Sequence, residues 1–147
     1  MKRIVLFVLA GAALLLVVAQ AVPYGRDHKN PTPTRELKFD SQRTAALFDK
    51  ACADCHSDHT DWPWYSNVAP VSWLVQNDVD GGRDVLDVSR WDRGHQPSVD
   101  EIAEVVAEGE MPPLQYKAIH GGARLSDTEK QQLADGLRRS VAADPPS

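Results

Sequence analysis

Cys52-Ala53-Asp54-Cys55-His56 holds both cysteines of the chain and places a histidine directly after the second. Cys-x-x-Cys-His is the attachment signature of c-type haem. Two thiols three positions apart on a helical turn can each form a thioether with one haem vinyl group, and the neighbouring histidine can reach the iron as an axial ligand. A Cys52–Cys55 disulfide or a thioredoxin-like redox pair are the alternatives. The latter expects a βαβ setting, and no strand-like alternation precedes the motif. A zinc site needs further cysteines or a paired histidine motif, and the chain has neither.

Upstream, the pattern from Asp40 or Ser41 to Cys52 is helical, with Ala45, Phe48 and Cys52 on one face and a polar cap at the start. Downstream, Ser57-Asp58-His59-Thr60-Asp61-Trp62-Pro63-Trp64-Tyr65-Ser66-Asn67 reads as a loop dense in aromatics that can wall one haem face or simply pack as core. Pro70 then opens a second helix. Its expected apolar face is Val71, Leu74, Val75 and Val79, joined by Trp73, and Gly81-Gly82 reads as its end. Val85, Leu86, Val88 and Trp91 are expected to pack beneath the haem or against the first helix. Arg83 or Arg90 is placed to meet a haem propionate, unless both are simply solvated.

Ser98-Val99-Asp100-Glu101 is a capping box, and the helix it opens is stopped by Gly109. Met111-Pro112-Pro113 follows at once. Apart from the initiator, Met111 is the one methionine in the chain. A thioether on a proline-stiffened loop suits the second axial position, and His/Met ligation raises the reduction potential while filling both axial sites. A gap-filling core methionine is the plainer alternative. His120 and His95 are rivals for that position, while His28 and His59 read as solvated or hydrogen-bonding residues. Ser126-Asp127-Thr128-Glu129 is a second capping box and opens a final helix with Leu133, Leu137 and Val141 inward.

The N-terminus divides into a basic start, Lys2-Arg3, and an apolar run from Ile4 to Val22 broken only at Gln20. That is an export segment whose N-terminus stays in the cytoplasm. Ala19-Gln20-Ala21 fits a cleavage site, but the run is nearly long enough to span a bilayer, which favours a retained anchor. The expected organisation is therefore a signal peptide or transmembrane anchor at 1–22, an extended proline-rich linker at 23–40 and a haem-binding domain at 41–147. The 147 residues carry a net charge of −5, and the part beyond Arg3 holds 14 basic against 21 acidic residues. Nucleic acid is a poor partner for that balance. A redox protein is a compatible one.

On these residues, the body from Asn30 to Leu137 resembles the small haem-binding domain family of bacterial exported proteins. The matching stretches are Cys52 to His56, Trp62 to Ser66, Ala69-Pro70-Val71-Ser72-Trp73, Met111-Pro112-Pro113 and Tyr116…His120…Leu125-Ser126…Glu129. The resemblance implies an all-α, cytochrome-c-like domain with one covalent haem behind an N-terminal anchor. Similarity to class I cytochromes c implies His56 as proximal ligand and Met111 as distal. The tryptophan-rich stretch from Thr60 to Trp91 departs from that wider class.

The leading expectation is a non-enzymatic electron carrier in the periplasm, tethered to the inner membrane by residues 4–22. Cys52, Cys55, His56 and Met111 would hold haem c, His56 and Met111 would ligate its iron, and a redox protein would be the partner. A haem-based sensor or peroxidase-like enzyme with a displaceable distal ligand is the alternative; Glu108, Glu110, His95 or His120 would then serve as acid–base groups. A haem-free thiol–disulfide protein is a third reading.

Overall fold

A computed structural model describes residues 1–146, and among these every regular element is helical. The apolar N-terminal run forms α1 (Lys2–Ala19), which buries none of its side chains against the rest of the molecule. By length and composition it can cross a membrane. The body consists of α2 (Gln42–Ala51), α3 (Ala53–His56), α4 (Val71–Val85), α5 (Val99–Glu108), α6 (Leu114–Ile119) and α7 (Asp127–Ala143), with 3₁₀ turns at Trp64–Asn67 and Gly121–Ala123.

Local chemistry sets most of these boundaries. The Ser41 hydroxyl accepts from Thr44 N at 3.1 Å and starts α2. Ser98 and Ser126 each accept from the backbone of a glutamate three residues on, and each glutamate reaches back to the serine amide. Both capping boxes form as their sequences imply. Gly109 ends α5 at φ +77°, where a side chain would be strained.

The core joins α2, α5 and α7 through Leu47, Phe48, Ile102, Val106, Leu133 and Leu137, with Trp91, Leu86 and Val88 filling the side towards α3. Helices α2 and α7 approach closely because position 136 lacks a side chain. A Cβ on Gly136 would stand 2.1 Å from Thr44 Oγ1.

The segment from 23 to 40 carries no helix, yet it lies against the body. Leu37 is buried in the core. Leu37 N donates to Val88 O at 2.8 Å and Trp91 N donates to Arg35 O at 2.8 Å, around an isolated parallel bridge between Arg35 and Arg90. Arg35 pairs with Asp144 near the C-terminus, and the Trp91 indole donates to Asp144 O at 2.7 Å.

Arg83 and Arg90 do not line the cleft described below, and both are only part-exposed. Both face the fully buried carboxylate of Asp58, Arg90 at 3.0 Å and Arg83 at 3.7 Å. Arg83 also donates to Ser57 O, Lys29 O, Asn30 Oδ1 and the Thr60 hydroxyl. One guanidinium thus ties the proline-rich segment to the loop after His56. Removing such a buried partner leaves an uncompensated charge, which costs several kcal/mol.

Two further expectations are corrected. Helix α4 runs through Gly81-Gly82 and ends at Val85. Its buried face is Ser72 and Val79, whereas Val71 and Leu74 point outwards. Apolar periodicity marked the stripe, but it could not show that among the described residues the 3₁₀ turn and the segment around Gly25 cover the Ser72 side of α4 and leave Val71 and Leu74 exposed.

The Glu129 carboxyl is held down to about 2 by the backbone and hydroxyl of Ser126, with help from Lys50. A depressed carboxylate stabilises the fold above its ordinary value near 4.5 and loses that contribution as pH falls towards 2. Glu129→Gln should therefore lower Tm at pH 7, with the gap to the wild type closing progressively below about pH 4.5 in thermal melts.

Candidate functional site

The decisive turn is built by α2 running almost directly into α3. Cys52 N closes α2 by donating to Phe48 O at 2.7 Å, and the Cys52 carbonyl accepts from both Cys55 N and His56 N. Both thiols are free. Burial pushes each up to about 12, with a nearby acidic charge adding to the effect at Cys55. They are neutral SH groups at neutral pH, as an apolar setting requires.

Cys52, Cys55, His56 and Met111 all line one cleft of about 290 Å³ between α2, α3, α5 and the Met111-Pro112-Pro113 loop. Its remaining walls are nearly all apolar, supplied by residues such as Phe48, Leu86, Ile102, Val105 and Leu137. Glu101 is the one acid among the lining residues, and its carboxylate is engaged in capping Ser98. The cleft can therefore hold a large flat apolar group, but offers little to a polar substrate.

His56 is oriented from behind. Its Nδ1 lies 3.0 Å from both Gly82 O and Leu86 O. Carbonyls only accept, so Nδ1 carries the proton and the Nε2 lone pair is left for a metal. Burial lowers the imidazole pKa, which keeps the ring neutral, the form that binds iron. This is the supporting contact a ligating histidine needs to fix tautomer and ring plane.

Gly82 makes that contact possible. A Cβ at position 82 would stand 2.4 Å from Cys55 O and 2.9 Å from Cys55 Cβ. Only a bare backbone lets α4 lie against the Cys-x-x-Cys-His turn closely enough for its carbonyl to reach His56. The adjacent Gly81 has open space around it.

Asp54, a variable position of the motif, is fixed from three directions. Tyr116 Oη donates to Asp54 Oδ2 at 2.6 Å, Asp61 N donates to Oδ1 at 2.9 Å, and the Thr60 hydroxyl donates to Asp54 O at 2.7 Å. Burial and the Asp54 carboxylate both raise the Tyr116 pKa, so the phenol stays protonated. Tyr116 also lines the cleft. Sequence reasoning did not pair Tyr116 with Asp54. Its place in the run shared with the family was the one available signal.

The other histidines lie elsewhere. His120 stacks on Tyr116 at 4.0 Å and its Nε2 meets Tyr65 Oη at 3.1 Å. His28 stacks on Trp62 and contacts Ser66. His59 pairs with Glu36 at 2.6 Å, and His95 is exposed. None of the four lines the cleft. The aromatic loop does not wall it either: Phe48 and Tyr116 are its aromatic residues, while Trp64 faces outwards.

Free paired thiols, a neutral imidazole with one nitrogen engaged and an apolar cleft together fit a haem. Residues 14–139 match the family model described as a haem-binding domain. No curated protein and no solved structure matches the chain.

The two glycines make a matched test. Gly81→Ala should be neutral or stabilise α4 by up to about 1 kcal/mol. Gly82→Ala should push α4 off Cys55, with a several-fold loss of haem-loaded protein. Recovery of each variant, read by haem absorbance per protein and by thermal melting, checks this.

Proposed function

The chain belongs to the haem-binding domain family, and on that premise we propose that it is an exported c-type monohaem cytochrome that passes single electrons. The observation that supports this most directly is the gathering of both thiols, His56 and Met111 around one apolar cleft. Cys52 and Cys55 would hold the haem by thioethers, and His56 Nε2 and Met111 Sδ would hold its iron. When bound, the haem supplies a one-electron couple whose potential depends on the axial ligands and on exclusion of water.

The chain's own residues do the rest. Gly82 O and Leu86 O accept hydrogen bonds from His56 Nδ1–H, hold the ring plane and raise its basicity towards iron. Pro112 and Pro113 restrict the backbone after Met111, which lowers the entropy cost of presenting its thioether. The largely apolar walls would limit water around the bound ring. With both axial positions filled, no substrate site is needed, and electron exchange requires only an exposed haem edge. The partner would be another redox protein.

Export and anchoring rest on Lys2-Arg3 ahead of α1, and c-type attachment belongs to the oxidising side of the membrane. The reading places the body in the periplasm with α1 retained. The family match reaches into the last residues of α1, and this supports treating that helix end as part of the protein proper.

The test is the visible spectrum of the protein made alongside cytochrome c maturation machinery, oxidised and reduced, compared with Met111→Ala. The wild type should carry covalent low-spin haem that does not bind carbon monoxide readily. The oxidised thioether-to-iron band should vanish in the variant. Wild-type haem that is already high-spin, or a variant spectrum that is unchanged, would remove Met111 from the iron and with it the carrier assignment.

A further inference from the structure

From Trp62 to Asn77 the chain has sixteen consecutive residues without a charge, although a quarter of the whole sequence is charged. Three of the four tryptophans lie in this run. It forms the 3₁₀ turn at Trp64–Asn67 and the first two turns of α4. Several of its large apolar side chains are uncovered: Trp64 is 79% exposed, Leu74 61%, Val68 44% and Val71 37%. Single exposed apolar residues are ordinary. A charge-free group of them on adjoining turns is not.

The place of this face relative to α1 identifies what covers it. Gln20, the residue that ends α1, is bonded to the middle of the run. Its side-chain Nε2 donates to Ala69 O at 2.9 Å, and Ala69 N donates to its Oε1 at 3.1 Å. Arg26 donates to the same Oε1 at 3.0 Å. The next turn is also locked. Gly25 sits at φ +78°, where a Cβ would meet Ser72 O at 2.2 Å. The end of the apolar helix is therefore the point where Val68 and Val71 flank a buried Ala69.

The geometry points to a membrane-docking surface: Trp64, Val68, Val71 and Leu74 lie in the interfacial layer of the same bilayer that α1 crosses. The chemistry agrees with the position. Tryptophan is enriched at the boundary between headgroups and acyl chains, and burying exposed apolar side chains there is favourable. No residue from Trp62 to Asn77 brings an ionised group to that layer, and Arg26 at the same junction carries the sign that anionic headgroups attract. This inference rests on the reading of α1 as a retained anchor.

The experiment places the photo-crosslinker p-benzoylphenylalanine at position 64, 71 or 74 of the full chain, with the exposed Gln131 position on α7 as control. The protein is reconstituted in phosphatidylethanolamine/phosphatidylglycerol vesicles, after intact mass has established whether residues 1–21 are present. Illumination should give phospholipid adducts at 64, 71 and 74 in several-fold excess over 131. Adducts to a second copy of the chain, or lipid adducts no more frequent than at 131, would overturn the docking surface and leave the anchor standing. A mass showing cleavage after Ala21 would overturn both.

Discussion

The pair of hydrogen bonds from His56 Nδ1 to the carbonyls of Gly82 and Leu86 is the constraint on which the site depends. It fixes which ring nitrogen can meet a metal, and it joins the Cys-x-x-Cys-His turn to the far end of α4. Everything between His56 and Gly82 must be a length of chain that returns α4 to that carbonyl. The tryptophan-rich stretch provides that return. The absence of a side chain at Gly82 allows the last ångströms of approach.

Around that contact, ionic groups are arranged to stabilise the loop, away from the cleft. Asp58 is buried between Arg83 and Arg90. Arg83 extends the network to Lys29 and Asn30. A buried network of this kind contributes little net stability by itself. Its effect is on uniqueness, since few alternative paths for the loop would satisfy all of these donors at once. The cleft stays apolar because the charges are spent elsewhere.

Much of this was legible in sequence wherever the information is local. The two capping boxes, the Gly109 stop, the Cys-x-x-Cys-His turn and the proline-stiffened Met111 all depend on residues within a few positions of one another. What escaped depends on distance along the chain. Gly82 reads as a helix end because a glycine's usual local effect is to break helices; its contact with Cys55 lies 27 positions away. Tyr116 gives no hint that its partner is Asp54. Arg83 and Arg90 look like solvated surface until Asp58 is brought between them. Val71 and Leu74 carry the right period for burial, yet periodicity reports a face without its neighbour.

The Gln20–Ala69 pairing has a consequence for how the molecule meets others. A tether of loose chain would let the body sweep a hemisphere of solution, whereas this one has no slack. If α1 sits in a bilayer as proposed, the cleft would stay near one height and one tilt, and encounters would become a two-dimensional search by lateral diffusion. Confinement of that kind raises the effective concentration of any partner whose own site stands at the matching height. It lowers to nearly nothing that of one whose site does not. Selection among partners would then be a matter of altitude above the lipid, set by the short junction at which Gln20, Gly25 and Arg26 meet the body.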